Sequence, residues 1–248
     1  MRLLLNGFSL VRPLTGIGQY THHLADELVK QELVEEILYW GALSAGSRSL
    51  LDKQLPILSK KISKNARKLQ LLSTLRPDAF MNHLKLRSGN SKKHIYHETN
   101  FVARPYKGTL VTTVHDLSFI HYPELHPPER IEHMQGLEET LNRSAHVITD
   151  SDYVRGEVIE HYKIEPERIS TIPLGVDAKF QPVSDRMKDK FKSKYGIGTN
   201  FLLMVGSIEP RKQIDKVIDA YISLPENIKK EYVLVHAGPA GWNNSSIS

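Results

Sequence analysis

Two periodicities alternate along this chain. Short, mostly apolar runs rich in β-branched residues occupy 2–5, 36–40, 94–97, 110–115, 145–149 and 169–172, each the length of a strand. Between them, apolar residues recur every three or four positions. Tyr20, Leu24 and Leu28 share one face of a predicted helix, and residues 51–75 carry Leu55, Leu58, Ile62, Leu69 and Leu72 near helical spacing. Residues 127–143 read as a helix opened by prolines, where proline is tolerated. Residues 151–162 read as another, capped by Asp150 or Ser151.

The pattern lapses at 173–182 (PLGVDAKFQP), which has two prolines, a glycine and no period, as a linker does. It then restarts: a polar helix at 184–195, an apolar strand at 201–205, a helix at 210–224 and a second apolar strand at 232–237. Strands alternating with helices, and apolar on both faces, imply parallel sheets with helices on each side. The expectation is an α/β protein with a Rossmann-like domain over 1–178 and a partial one, a single βαβ unit, over 179–248. Two strands of central character cannot cover their own edges and faces. The second part is expected to lean on the first, on a second chain, or on an extension.

Composition narrows the class. With 40% apolar and 25% charged residues, the 248-residue chain has the make-up of a soluble globular protein. It contains no cysteine, which excludes disulfides and thiolate metal sites. The amino terminus turns polar at Asn6 too early for a signal peptide, and no apolar run reaches a membrane span. A cytoplasmic protein, soluble or peripheral at the inner face of the plasma membrane, is expected. The net charge of +5 is uneven: residues 59–93 hold ten basic side chains against Asp78 alone. That stretch suits a solvated face, or an anionic membrane surface, since Lys60, Lys61, Lys64 and Lys68 interleave with Leu58, Ile62 and Leu69. Phe80 is its one aromatic, so stacking platforms for nucleic acid are lacking and no nucleic-acid partner is expected.

Three motifs could carry chemistry. Gly16 and Gly18, in Thr15-Gly16-Ile17-Gly18, join a strand to a helix, where a backbone can approach a ligand and anions are favoured; a plain tight turn has the same sequence. His115 and Asp116 end an apolar strand, on the side where open parallel sheets bind ligands. There His115 could hydrogen-bond a sugar hydroxyl and Asp116 orient it, or Asp116 could simply cap the next turn. Gly206 and Ser207 precede Pro210, Arg211 and Lys212 at a predicted helix start. Two cations oppose the helix dipole there, which suits an anion such as a diphosphate between them, or a merely solvated turn. His94, His97 and Glu98 suggest a metal at first sight, but they sit on a strand-like segment without the spacing of a zinc helix. No metal is expected.

Taken in order, TGIGQYTHHLADEL, VTTVHDLSFIHYPELHPPERI, VITDSDYVRGEVIEHYKI, IPLGVDAKF and LMVGSIEPRKQIDKVIDAY resemble the GT-B glycosyltransferases of family four. The HDLSF segment is most similar to bacterial mannosyltransferases of O-antigen and exopolysaccharide assembly. The resemblance implies two Rossmann-like domains with the active site between them. It implies a retaining, metal-independent transfer of a hexose, mannose favoured, from a nucleotide-sugar such as GDP-mannose to a lipid-linked or oligosaccharide acceptor. Gly16 and Gly18 would then lie near donor phosphate and acceptor, His115 would touch the donor sugar, and Arg211 and Lys212 would clamp the diphosphate beside Gly206. The family's second domain continues further and carries a pair of glutamates that bind the donor; this chain ends before that pair. A second chain could complete the donor site. The competing readings are a non-catalytic remnant or acceptor-binding module and, third, a sugar-nucleotide epimerase.

Overall fold

The computed structural model describes residues 1–10, 14–40, 94–198 and 200–241; the predicted helix at 51–75 and the basic run at 59–93 lie outside them. Six strands, β1 (Arg2–Asn6), β2 (Glu36–Trp40), β3 (Ile95–Glu98), β4 (Leu110–Val114), β5 (His146–Thr149) and β6 (Ile169–Thr171), form one parallel sheet in the order β2-β1-β3-β4-β5-β6. The order reverses about β1, which pairs with β2 on one side and β3 on the other. In open parallel sheets ligands bind outside the carboxyl ends of the strands at such a point.

The apolar run of β1 is explained by burial on both faces. Leu4 packs with Leu38, Tyr96, Ala103 and Leu110 on one side. Leu3 and Leu5 pack with Leu10, Ala25, Ile37 and Tyr39 on the other. Successive strand residues point to opposite faces, so a strand covered twice has no polar alternation. Ala25 comes from helix α1 (Gly16–Lys30), whose first turn is capped by Thr15 Oγ1 accepting from the Gly18 amide.

After β4 the chain forms a one-turn helix, α2 (Ser118–His121), that the sequence pattern does not announce. The single helix expected over 127–143 is two, α3 (Pro128–Met134) and α4 (Leu137–Arg143), divided at Gln135 and Gly136. A side chain at 136 would meet Val102 Cγ1 at 2.9 Å, so glycine is needed for packing there, and glycine is a poor residue for a helix interior. The Arg168 guanidinium closes the end of α4 by donating to the carbonyls of Leu141, Asn142 and Ser144. Helix α5 (Asp152–Tyr162) is capped by Ser151, whose Oγ accepts from the Val154 amide.

Past the linker come α6 (Asp185–Tyr195), β7 (Asn200–Val205), α7 (Ile214–Ile222), α8 (Glu226–Glu231) and β8 (Tyr232–Ala237). β7 and β8 pair in parallel over their full length, from Asn200 with Tyr232 to Val205 with Ala237. The helix expected to begin at Pro210 does not. Pro210–Lys212 is a 3₁₀ turn, Gln213 is left-handed at φ 50°, and α7 starts only at Ile214.

The chain divides into two compact units. One comprises Met1–Leu117 and Glu132–Leu174; the other comprises Ser118–Ile131 and Gly175–Ser248. The backbone thus passes from one unit to the other three times.

Candidate active site

The carboxyl ends of β1, β3, β4 and β5 bring polar residues together in the first unit, and His115 is held on four sides. Its Nδ1 lies 2.7 Å from Asp150 Oδ2 and its Nε2 lies 2.9 Å from the Thr99 carbonyl. The Tyr20 and Phe101 rings meet it edge-on, with centroids 5.1 and 5.7 Å away. A backbone carbonyl only accepts hydrogen bonds, and so does an ionised carboxylate. Both ring nitrogens therefore face acceptors, an arrangement that favours the protonated ring. Burial pulls the His115 pKa down, but the hydrogen bond and charge of Asp150, the Thr99 carbonyl and the charge of Asp116 together carry it above the ordinary value.

From the sequence, Asp116 could assist the His115 contact or cap the next turn, and Asp150 or Ser151 could cap the following helix. In the structure the Asp150 carboxylate meets the His115 ring and Ser151 is the cap. The spacing of Asp150 from His115 gives no sign of this; parallel pairing of β4 with β5 brings their ends side by side. Asp116 follows His115 at the strand end, half-buried, and acts on the ring through its charge.

Two further titratable residues are buried on β3, and neither was assigned a role from sequence. His97 is buried on β3, and its Nε2 lies 2.8 Å from Thr113 Oγ1, which also meets the Tyr20 hydroxyl at 3.1 Å. Burial, and then the charge of His115, lower its pKa to about 4, so it is neutral near pH 7. Glu98 is fully buried at the end of β3. It accepts from Asn6 Nδ2 at 2.8 Å, from the Asn100 amide at 2.8 Å and from the Tyr96 hydroxyl at 2.5 Å. Burial raises its pKa to about 7, against the pull of those three donors and of Arg104. The next residues turn sharply: Phe101 has φ 66°, a left-handed value rare for a bulky side chain.

The two glycines at the start of α1 differ. A Cβ on Gly18 would sit 2.3 Å from the Ser9 carbonyl oxygen, so glycine is required there by packing. A Cβ on Gly16 would meet nothing within 4 Å, and Gly16 is exposed. Only Gly16 presents open backbone to solvent. His94 and His97, the pair that suggested a metal, have separate partners, Glu36 and Thr113. Among the described residues no group of three or more His, Cys, Asp or Glu could hold a metal ion.

Gly206, Arg211 and Lys212 belong to the second unit. Gly206 has φ 149° and its carbonyl accepts from His236. A Cβ on Gly238 would overlap that carbonyl at 1.8 Å, so the turns after β7 and β8 touch through glycine. Arg211 Nε donates to Glu209 Oε2 at 2.7 Å, and Ser207 Oγ donates to Glu209 Oε1. Glu209, buried and overlooked in the sequence, is the partner that makes a cation tolerable at this turn. Arg211 and Lys212 do not oppose the α7 dipole from its first turn, because the turn holding them precedes the left-handed Gln213.

No helix among the described residues is long and apolar enough to cross a membrane. The family described as Glycosyltransferase Family 4 matches residues 14–180. The chain is 30% identical over 247 residues to O-antigen chain mannosyltransferase B of Escherichia coli, covering 95% of this chain and 63% of that protein. It is 36% identical over 83 residues to the lipopolysaccharide glucosyltransferase WaaG of Escherichia coli K12, covering 32% of this chain and 22% of that one. Among solved structures, WaaG superposes with a TM-score of 0.56 at 15% identity, covering 95% of this chain and 62% of the other. Anabaena HepE in complex with UDP and glucose superposes with a TM-score of 0.54 at 16% identity, covering 99% and 62%. The chain thus spans somewhat under two thirds of O-antigen chain mannosyltransferase B and of these two solved chains; it belongs to glycosyltransferase family 4 and has the GT-B type of fold.

Proposed function

We propose that the protein transfers a hexose, mannose favoured, from a nucleotide-sugar to a lipid-linked or oligosaccharide acceptor in surface-polysaccharide assembly, with retention of configuration and without a metal. The observation that carries this reading is the similarity to O-antigen chain mannosyltransferase B along nearly the whole chain. GDP-mannose is the favoured donor. In the transfer, the bond from the anomeric carbon to the diphosphate oxygen breaks, a bond to the acceptor oxygen forms, and the acceptor hydroxyl loses its proton.

Charge on the departing diphosphate is then the main thing to stabilise. Glu209 engages Arg211 at Nε, leaving the two terminal nitrogens of the fork without a partner among the described residues and available to a diphosphate. Lys212 beside it is exposed and supplies a second cation. Both nitrogens of the His115 ring are engaged, so a direct bond from the ring to a sugar hydroxyl would have to displace Thr99 or Asp150. Gly16 and Gly206 provide close backbone approach. An anionic membrane surface, met through 59–93 at the cytoplasmic face, would bring a lipid-linked acceptor to the site.

Titration calorimetry with GDP-mannose tests the reading. Binding is expected to weaken about tenfold or more in Arg211→Ala, the scale of a lost charge-assisted pair. UDP-glucose binding better than GDP-mannose would overturn the donor assignment.

A second reading rests on the bare strands of the second unit, where Leu203 is 53% and Val205 77% exposed. The chain acts as one part of a donor site that a further polypeptide completes, and alone it binds acceptor without turnover. Acceptor binding without GDP-mannose binding, restored by a complementing chain, would support it.

A further inference from the structure

We propose that Glu98 is a positioning residue for His115: by gripping the Asn100 amide at the end of β3 it fixes the Thr99 carbonyl that holds the ring at Nε2. This role belongs to no motif and lies beneath the site rather than in it. Its bearing on transfer rests on the function proposed above, but the geometry can be tested without any donor.

The linkage runs through four residues. Glu98 Oε1 accepts from Asn100 N and from Asn6 Nδ2, each at 2.8 Å, while Tyr96 donates to Oε2. Tyr96 is itself oriented by the Arg104 amide, which donates to its oxygen at 3.4 Å. The carboxylate therefore ties the end of β1, the body of β3 and the loop after β3 into one node. That loop has to be held. It carries Phe101 at φ 66°, and in the residue between Glu98 and Asn100 its carbonyl turns to His115 Nε2 at 2.9 Å. The Thr99 side chain, 2.7 Å from Thr21 Oγ1, anchors the same turn to α1. A left-handed, bulky residue is held only where its surroundings over-determine it, and the bond from the Asn100 amide to Glu98 fixes the backbone just before Phe101.

The groups facing His115 are Asp150 beyond β5, Asp116 on its own strand end, Tyr20 of α1, Phe101 and the Thr99 carbonyl of the loop after β3, and His97 of β3. Glu98 does not touch the ring. Its influence must therefore be seen through the ring's own titration and not as a direct charge effect.

The test is the His115 titration followed by NMR of its ring, in the full chain. In Glu98→Ala the loop loses its anchor, the Thr99 carbonyl no longer holds Nε2, and the His115 midpoint is expected to move to lower pH. The Asn100 amide should exchange about tenfold faster or more. In Glu98→Gln, which keeps an oxygen for Asn6 and Asn100, the midpoint should stay with the wild type. Should Glu98→Ala fail to fold, Glu98→Asp keeps the charge but withdraws it from Asn100, and a downward shift is again expected. A folded Glu98→Ala or Glu98→Asp chain with an unmoved His115 midpoint would overturn the proposal, and so would a Glu98→Gln chain that shifts as Glu98→Ala does.

Discussion

The first sheet buries its apolar strands and the second leaves them bare, although the two are written in the same residues. In β1 the exposures of Leu3, Leu4 and Leu5 are 4%, 2% and 0%; in β7 those of Leu202, Leu203 and Val205 are 42%, 53% and 77%. Helix α6 repeats the contrast, with Met187, Phe191 and Tyr195 all more than half exposed. An unalternating apolar strand is a demand for cover on both faces, and only the first sheet meets it from the described residues. The two units also hold their buried acids differently. Glu98 is surrounded by neutral donors, whereas Glu209 is paired with the Arg211 guanidinium.

The largest expected effect probes cover directly. Leu5→Ala should lower stability by about 2–5 kcal/mol, and Leu203→Ala by about 0.5 kcal/mol or less. Urea unfolding measures both. Equal costs would mean that β7 is covered in solution and would break the contrast.

The next concerns the acid held by neutral donors. The pKa of Glu98 lies near 7 in the fold against 4.5 ordinarily, so the folded protein keeps a proton that the unfolded chain releases. That contribution to stability is full below the unfolded value and is lost as pH rises through about 7, roughly 3 kcal/mol in all. Glu98→Gln has no proton to lose. Unfolding at a series of pH values should show the wild type falling behind this variant between about pH 4.5 and 8. Parallel stability curves would remove the difference between the two acids.

The smallest compares the glycines of one motif. Gly18→Ala must push against the Ser9 carbonyl and should cost about 1–3 kcal/mol; Gly16→Ala, facing open space, should stay within about 0.5 kcal/mol. Thermal unfolding distinguishes them, and the reverse order would assign the packing role to the wrong glycine.

What could be read from the sequence divides along similar lines. Apolar strands announced themselves whether or not the described residues cover them: β2 and β8 fall at 36–40 and 232–237, as expected. Breaks were harder. Gly136 divides a helix for the sake of Val102, and Gln213 turns left-handed before α7; neither leaves a periodic trace. The site was half visible. His115 stands at a strand end, where a pattern can find it, but its carboxylate comes from the neighbouring strand. Such partners are set by sheet order, which adjacency in sequence does not encode. Glu98 and Glu209 were missed because a buried acid looks like any other acid until its donors are known.

The path of the backbone between the units has a consequence for inheritance. Ser118–Ile131 groups with the second unit while the residues on either side of it belong to the first. A recombination joining the front of one relative to the back of another at Leu174 would import the later part of the second unit and leave this earlier piece behind. Hybrids between relatives should therefore succeed more often when both pieces come from the same parent.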